Sequence, residues 1–280
     1  MTHQHLAEFW LRTLPVSADL DAAWLPAAVD WLLAGDRVRS AADIGCGAGA
    51  MACALATALG EQAQVTALDA DPRLLAMARA RASATGVPER IEWIAADLAS
   101  LPLDDASMDF VWASSVVHHL PDQQNAVARL GRLLRPGGRL ALCEGGLPLR
   151  CLPYDIGVGR PGLEARLDAA HTSWFEDMRA ELEGPRMPYG WPEALRRAGL
   201  THEATRSFLI EHPPPLDDLG RRVVEQHLSF AAEELAEMLS RDDREALQQL
   251  LDPGHDAYVG LRDDVAVTTV RSIHVGQASR

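Results

Sequence analysis

The sequence contains no lysine. Arginine supplies all 26 of its fixed positive charges, against 40 aspartate and glutamate residues. The formal net charge of −14 argues against a nucleic-acid partner, because phosphate binding needs a basic face. The same charge argues against binding to an anionic membrane surface. No apolar run approaches the ~20 residues that cross a bilayer, so no membrane role is expected.

Cysteine is also scarce, and its four positions show no Cys-x-x-Cys spacing. This pattern is typical of reduced thiols rather than of a disulfide framework or a zinc site, and no metal site is expected. The first residues, Met-Thr-His-Gln-His, lack the charged-then-apolar order of a signal peptide. Together these features predict a soluble, cytoplasmic protein.

The most informative stretch is residues 41–50, Ala-Ala-Asp-Ile-Gly-Cys-Gly-Ala-Gly-Ala. Asp43 lies in a short apolar run, and three alternating glycines follow: Gly45, Gly47 and Gly49. Glycine has no Cβ, so it can turn sharply and let a ligand lie against backbone amides. Because helix formers fill residues 50–59, the stretch predicts a strand, a glycine turn and a helix. Such a unit builds the nucleotide crevice of a doubly wound α/β sheet.

Strand and helix patterns alternate from residue 41 to 146, which predicts a parallel sheet with helices on both faces. After the first strand, further strands are predicted at 65–68, 91–95, 110–113, 139–143, 203–210 and 265–275. Asp71-Pro72 predicts a helix start, and a second helix is predicted from Pro121 to Leu134. Residues 135–138, Arg-Pro-Gly-Gly, predict a turn.

The chain divides into four predicted segments. These are an N-terminal helical cap (1–36), a Rossmann-like core (37–146), a lid or cap (147–190) and the C-terminal part of the core (191–280). Residues 147–190 hold prolines, glycines and aromatics with little strand character. A largely helical insertion is predicted at 211–264, where Ser240 with Asp243 three residues on is a plausible helix start.

Acidic residues follow the predicted strands, at the edge of the sheet where such folds bind ligands. Asp69 ends the second strand and is placed to accept hydrogen bonds from both ribose hydroxyls of a nucleoside. Asp97 follows the third strand and is placed to accept from the exocyclic amine of an adenine. The alternative interpretations are a solvent-exposed carboxylate for Asp69 and a turn-forming residue for Asp97.

Taken in order, these motifs resemble the class I S-adenosylmethionine (SAM)-dependent methyltransferases, of the small-molecule, methyltransferase type 11-like group. Asp-Ile-Gly-Cys-Gly-Ala-Gly at 43–49 resembles the first motif of that family. Leu-Asp-Ala-Asp at 68–71 resembles the second, and Ala-Ala-Asp-Leu at 95–98 the third. Val-Val-His-His-Leu and Leu-Leu-Arg-Pro-Gly-Gly are also family-like. The resemblance covers residues 41 to about 143.

The resemblance implies a seven-stranded Rossmann-like sheet with an antiparallel last strand, and SAM as cofactor. In that reading the three glycines approach the amino acid part of SAM, with Asp43 orienting the loop or the ammonium. Asp69 would hold the ribose and Ala70 would pack on the adenine. The base would be bracketed by Asp97 with Leu98, and the sulfonium would lie over Ser114 or Ser115. The chain departs from the family in the residues inserted between its last two strands.

SAM is an activated donor, so the protein must mainly position an acceptor in line and exclude water. A general base is needed only where the acceptor carries a proton of high pKa. The candidate bases are His118, His119, Glu144, Tyr154, Asp155 and His171. For His118 and His119 the alternative is ordinary packing or backbone capping before Pro121. Trp24 and Trp31, seven residues apart, are interpreted as core. The candidate acceptor-binding residues are Trp10, Tyr154, His171, Trp174, Tyr189 and Trp191.

We therefore predict methyl transfer to O, N or C of a small aromatic or heterocyclic metabolite, of the kind made in secondary metabolism. The alternative is a cyclase-type enzyme on the same fold that binds SAM without methylating. An NAD-dependent enzyme and a non-enzymatic scaffold are less well supported by the glycine pattern and the intact ligand loop. The expected partner is the small-molecule acceptor, with a homodimer as one option for the oligomeric state.

Overall fold

The structure is a computed structural model that describes residues 3–35, 37–61, 63–98 and 100–280, apart from the side chains of residues 3–7, 9 and 10. The α-helices are α1 (His3–Asp21), α2 (Leu25–Leu32), α3 (Ala50–Leu59), α4 (Pro72–Thr85), α5 (Gln123–Arg132), α6 (Leu163–Glu181), α7 (Trp191–Arg197), α8 (Asp218–Glu234) and α9 (Arg241–Leu251). The strands are β1 (Ser40–Ile44), β2 (Gln64–Asp69), β3 (Ile91–Ala95), β4 (Met108–Ser114), β5 (Leu134–Arg150), β6 (Thr201–His212) and β7 (Val267–Gln277).

The strands form one seven-stranded sheet in the order β3-β2-β1-β4-β5-β7-β6. The pairs β1–β2, β1–β4, β2–β3 and β4–β5 are parallel, and β7 is antiparallel. This architecture confirms the predicted fold class. In β1 the four residues from Ala41 to Ile44 are buried, as expected for a central parallel strand covered on both faces. The order places β1 beside β4, where the chain reverses direction across the sheet and a crevice opens.

Helix ends follow the local sequence signals. The Asp71 carboxylate caps α4 by accepting from the backbone N–H of Arg73 at 2.8 Å, and Pro72 occupies the first turn. The α9 cap is Ser240, whose Oγ accepts from the backbone N–H of Asp243, as the sequence predicts. The helix predicted from Pro121 is shorter, because the Asp122 carboxylate caps the chain at Asn125 and α5 begins at Gln123.

The structure differs from the sequence pattern in two places. The turn predicted at 135–138 lies inside β5, where the register against β4 shifts between Met108 and Phe110 and absorbs the extra residues. The segment 147–190, predicted as a lid or cap with little strand character, contains the 19-residue helix α6, for which the sequence pattern gave no prediction. Leu163 and Leu167, four residues apart on α6, are both buried, so tertiary packing stabilises the helix. The prolines and glycines of the surrounding segment do not indicate a helix.

The chain separates into two compact units. The first comprises Met1–Gly145, Gly184–Phe208 and Arg271–Arg280, and it contains the glycine loop. In its core the sheet residues Val111 and Leu142 pack with Val127 and Leu130 of α5. This unit carries the edge of the sheet where β1, β2 and β4 end, and with it Asp43, Asp69 and the glycine loop.

The second unit comprises Gly146–Glu183 and Leu209–Val270. Within it the Arg166 guanidinium pairs with Asp243, with Nη2 at 2.8 Å from Oδ1, and ties α6 to α9. Arg221 donates from Nη1 to the backbone carbonyls of Gly260 at 2.8 Å and Arg262 at 2.9 Å. Most of the predicted helical insertion, 211–264, lies in this unit as α8 and α9.

The four cysteines, Cys46, Cys53, Cys143 and Cys151, are free and buried. Burial raises the pKa of each thiol, in Cys143 to about 12. Within the described part of the chain, no group of three or more His, Cys, Asp or Glu side chains could hold a metal ion. Across the same residues, every helix is too short or too polar to cross a membrane.

Candidate functional site

The loop after β1 turns on glycines in the left-handed backbone region. The φ angles are +70° at Gly45, +50° at Gly47 and +79° at Gly49. The backbone N–H of Cys46 donates to the carbonyl of Leu68 at 2.8 Å, which ties the loop to β2. These torsions are costly for residues with a Cβ, so the alternating glycines are required by the backbone itself.

The three glycines differ in what surrounds them. A Cβ added at Gly45 would overlap Cγ2 of Val116, and a Cβ at Gly49 would lie 2.7 Å from Cβ of Ala78 on α4. A Cβ at Gly47 would meet only Cδ1 of Leu14, at 4.0 Å. Gly45 and Gly49 therefore allow the close packing of neighbouring elements, whereas Gly47 leaves its backbone open to a ligand.

We expect Gly49→Ala to be more destabilising than Gly86→Ala, although both glycines have nearly the same backbone conformation. Their φ and ψ angles are 79° and 19° at Gly49, and 76° and 23° at Gly86. The left-handed strain of about 1–2 kcal/mol is therefore common to both variants. Only Gly49→Ala adds a clash with α4, which should cost about 1–3 kcal/mol more. Urea denaturation of both variants measures the difference, and equal losses would contradict the packing role of Gly49.

Asp43 is an unusual carboxylate, because it is 2 % exposed and its Oδ2 has no hydrogen-bond partner among the described residues. Burial raises the pKa of Asp43 to about 7; a hydrogen bond from the Ala52 backbone opposes the rise, and the negative charge of Asp69 adds to it. A buried polar atom without a partner is destabilising. Its position beside the glycine loop indicates a ligand that donates hydrogen bonds or carries positive charge.

Asp69 is held by two backbone amides at the end of β2. Its Oδ2 accepts from the N–H of Gly47 and its Oδ1 from the N–H of Asp71, both at 2.9 Å. Burial raises the pKa of Asp69, and these two hydrogen bonds oppose the rise. Each carboxylate oxygen has a second lone pair, so a fixed and oriented acceptor remains for a ligand.

A cavity of about 130 Å³ lies beside the glycine loop. Predicted site residues line one wall of it: Asp43, Gly45, Gly47, Ser114 and Ser115. Residues of α1 line another wall: Leu14, Ser17, Ala18 and Asp21. Trp24, Trp112 and Arg271 complete the polar and aromatic lining. The structure therefore brings the loop after β1 and the end of β4 to one cavity.

His118 has a fixed orientation. Its Nδ1 lies 2.7 Å from Oε2 of Glu144, a buried carboxylate at the end of the β5 core. Oε1 of Glu144 accepts from the backbone N–H of Val116 at 3.0 Å and of Val117 at 2.9 Å. Since a carboxylate only accepts, Nδ1 carries the proton and Nε2 of a neutral His118 keeps its lone pair. The exposed His119 stacks on His118 with ring centroids 4.1 Å apart.

Three residues assigned to the adenine lie outside the lining of this cavity. Asp97 is exposed, and its Oδ1 accepts from the backbone N–H and the hydroxyl of Ser100, at 2.7 and 2.8 Å. That arrangement is the turn-forming alternative for Asp97. Leu98 is buried in the hydrophobic core cluster, and Ala70 is exposed after β2.

The candidate acceptor residues are dispersed. Tyr189 and Trp191 pack against the core cluster of the first unit, and the Tyr189 hydroxyl donates to Oε1 of Gln124 at 3.0 Å. The side chain of Trp10 lies outside the described residues. The remaining candidates belong to the second unit: Tyr154, His171 and Trp174.

Sequence reasoning missed the residues that close the cavity opposite the glycine loop. Trp24 was interpreted as core, and it does pack on Phe208 with centroids 5.4 Å apart, but it also lines the cavity. Its indole N–H donates to Oδ1 of Asp21 at 2.8 Å. Arg271 on β7 reaches the same aspartate. The spacing of Asp21 and Trp24 was a weak local signal, whereas no local signal could place Arg271 there.

Parts of this chain are similar to known proteins. Residues 42–142 match the family model of a methyltransferase domain. The 27-O-demethylrifamycin SV methyltransferase of Amycolatopsis mediterranei is 42% identical over 111 residues, which are 40% of this chain and 39% of that protein. The ubiquinone/menaquinone biosynthesis C-methyltransferase of Brucella anthropi is 33% identical over 144 residues, 50% of this chain and 55% of that protein. The chain thus spans about half the length, or less, of these curated relatives.

Solved structures share the whole fold. A methyltransferase candidate of Bacillus halodurans has a TM-score of 0.55 at 17% identity, covering 91% of this chain and 99% of its own. The YcgJ protein of a Bacillus species has a TM-score of 0.51 at 17% identity, covering 91% and 98%. At such identities the likeness describes the fold alone.

Fold, glycine loop and family model together define a class of protein: a Rossmann-like domain with an antiparallel seventh strand. Residues 42–142 match a methyltransferase domain, and the chain is similar to the class I SAM-dependent methyltransferases, which use S-adenosylmethionine as cofactor.

Proposed function

We propose that this chain transfers the methyl group of SAM to a hydroxyl oxygen of a small aromatic or heterocyclic molecule. One observation carries the proposal. Asp43, whose Oδ2 is buried and has no partner among the described residues, lines the same cavity as Gly47 and the end of β4. The ammonium group and the sulfonium of SAM carry positive charge, which complements the unpartnered carboxylate oxygen of Asp43. The residues present therefore fit the amino acid end of the cofactor.

The remaining cofactor residues follow from the same placement. Asp69, oriented by two backbone amides, is proposed to accept from the ribose hydroxyls. Ala70, Asp97 and Leu98 are proposed to surround the adenine, as the family resemblance implies. Ser114 and Ser115 line the cavity at the end of β4 and are proposed to lie beside the sulfonium.

We expect Asp69→Ala to weaken SAM binding by about 2–4 kcal/mol, because two charge-assisted hydrogen bonds are lost. Asp71→Ala is the control, since Asp71 is a neighbouring carboxylate whose contacts are the α4 cap and Arg73. That control should lower stability while leaving the dissociation constant near its original value. Isothermal titration of each variant with S-adenosylhomocysteine measures the dissociation constant. An unchanged dissociation constant in Asp69→Ala would remove Asp69 from the site.

The chemistry needs little from the protein beyond position and proton removal. Bound SAM supplies a methyl group on a positively charged sulfur. His118, held at Nδ1 by Glu144, is proposed to take the acceptor's proton at Nε2. A hydroxyl group must lose its proton when its oxygen is methylated, so a base assists that reaction. An acceptor that is already a nucleophile needs no base, and a base at His118 therefore favours an oxygen acceptor.

The relatives give limited support on the acceptor. The name of the rifamycin relative specifies an O-demethyl substrate, and the name of the ubiquinone/menaquinone relative specifies a C-methyltransferase. We propose a hydroxylated ring compound because it agrees with the base. Tyr154, His171 and Trp174 are also proposed as acceptor-binding residues; the rings of the last two are in contact, with centroids 5.6 Å apart. A homodimer also stays a proposal, which light scattering would test.

The first test is an incubation with methyl-deuterated SAM and a panel of phenols, hydroxyindoles and cell extract, read by mass spectrometry. A deuteromethyl product on oxygen is the expected result. Transfer to nitrogen or carbon would contradict the oxygen assignment while leaving methyl transfer in place. Conversion of a panel compound without gain of mass, with labelled SAM intact, would instead support the cyclase-type alternative.

A further inference from the structure

Arg271 is a cation in the wall of the cofactor cavity. It lies near the start of the β7 segment that belongs to the first unit, and it lines the cavity together with Asp43 and Gly47. It is the one basic residue in that lining among the described residues. A guanidinium in the cavity wall favours a ligand with a negatively charged group.

The contacts of Arg271 balance its charge without using its hydrogen-bond donors. Its Nε lies 3.7 Å from Oδ1 of Asp21, beyond hydrogen-bond distance, and the side chain is 30% exposed. The same Oδ1 already accepts from the Trp24 indole at 2.8 Å. Among the described residues, the Arg271 guanidinium donates no hydrogen bond.

Other arginines in the same unit behave differently. Arg81 donates to Asp19 at 2.6 Å and to the carbonyl of Ala48 at 3.0 Å, so its role in holding α1 and the loop is structural. Arg271 has five N–H donors in a planar fork, a shape that matches a carboxylate in bidentate fashion. Its donors face a cavity that a ligand enters.

We propose that Arg271 is the carboxylate-binding residue of this cavity. The proposal rests on the proposed function and deepens it. With Asp21 nearby, one guanidinium leaves room for a single negative charge, which favours a carboxylate over a phosphate dianion. Two sources share this chemistry: the α-carboxylate of the cofactor and a carboxylate on the acceptor. The unpartnered oxygen of Asp43 and the donors of Arg271 together complement an α-amino acid, one binding its ammonium and the other its carboxylate.

Binding measurements on Arg271→Gln separate the two sources. The probes are S-adenosylhomocysteine, and 5′-methylthioadenosine, which keeps the nucleoside and sulfur but lacks the amino acid. If the carboxylate is the cofactor's, Arg271→Gln weakens S-adenosylhomocysteine about 10- to 100-fold and leaves methylthioadenosine unchanged. Arg132→Gln is the matched control, because Arg132 also has one long ion pair, 3.9 Å from Nε to Asp105, but lies outside the cavity lining.

The second arm uses protein saturated with S-adenosylhomocysteine and titrated with benzoate or indole-3-carboxylate, followed by thermal shift. If the carboxylate is the acceptor's, these probes stabilise the wild type and not Arg271→Gln. Arg271→Lys keeps the charge and the Asp21 pair but loses the fork, so it should lose most of the same affinity while folding normally.

The proposal is overturned if Arg271→Gln and Arg271→Lys, folded as judged by circular dichroism, bind S-adenosylhomocysteine as the wild type does, and benzoate and indole-3-carboxylate shift the melting temperature of the wild type and of both variants equally or not at all. Failure of the proposed function has a different signature, since a wild type that binds neither S-adenosylhomocysteine nor methylthioadenosine has no cofactor site at all.

Discussion

Asp43→Asn is expected to stabilise the cofactor-free protein at pH 8 and, in the same protein, to remove tight cofactor binding. Burial raises the pKa of Asp43 to about 7, above its ordinary value of 3.8. Between those two pH values the folded protein keeps a proton that the unfolded chain has lost. Stability therefore falls as pH rises through this window, and above pH 7 the folded state carries a buried, incompletely paired charge.

Asparagine has almost the same shape as aspartate and carries no charge. The gain at pH 8 should be about 2–4 kcal/mol in the free energy of unfolding, and it should vanish near pH 4, where aspartate is protonated in the folded state. Urea denaturation at pH 4, 6 and 8 measures it. The pH 4 comparison is the control for any change in packing, because charge no longer distinguishes the variants there.

Cofactor binding should respond in the opposite direction. The ammonium group of S-adenosylhomocysteine is expected to partner Oδ2 of Asp43, so its dissociation constant should rise by about 10-fold or more in Asp43→Asn. Binding to the wild type should strengthen as pH rises through about 7, because only the ionised carboxylate attracts the ammonium. A variant that is less stable at pH 8, or that keeps its affinity, would show that Asp43 supports the loop alone.

His118→Ala is expected to lower kcat by about 10²- to 10⁴-fold without changing the dissociation constant of S-adenosylhomocysteine. The expectation rests on the proposed role of His118, whose Nδ1 is held by Glu144 and whose Nε2 would take the acceptor's proton. His119→Ala is the matched control, because His119 is the exposed neighbour of His118 and its ring centroid lies 4.1 Å from that of His118. Single-turnover rates at saturating SAM isolate the chemical step.

Glu144→Gln tests whether Glu144 is a positioning residue for His118. Glutamine can offer its N–H₂ to Nδ1, which reverses the tautomer, so the rate should fall while the fold persists. If His118→Ala and His119→Ala lower kcat equally little, the base assignment is wrong and the acceptor needs no proton removed.

Much of the fold was readable from local patterns. The glycines after Asp43, the Asp71-Pro72 helix start and the alternation of strands predict β1, α4 and the parallel sheet, because torsions and caps depend on neighbours in the chain. The helix α6 was missed, since its stability depends on burying Leu163 and Leu167 rather than on a cap.

The candidate site was readable only in part. The structure has Asp43 in β1, Asp69 at the end of β2 and the glycines directly after β1, as predicted, because parallel strands all end at one edge of a sheet; their roles toward a cofactor stay predictions. The Glu144–His118 pair required β4 and β5 to be neighbours, which brings residues 26 positions apart within 2.7 Å. Tyr189 and Trp191 were assigned to the acceptor by residue type alone, and the structure packs both against the core of the first unit.

Sequence alone determined the class of fold and the position of the cofactor loop, because backbone torsion, helix capping and strand alternation are local properties. Only the tertiary structure decided that Asp43 keeps an unpartnered oxygen, that Glu144 orients His118, and that Arg271 faces the cavity beside Asp21, about 250 residues away in the chain. Burial and charge pairing depend on which segments meet in space, and chain order does not encode that directly.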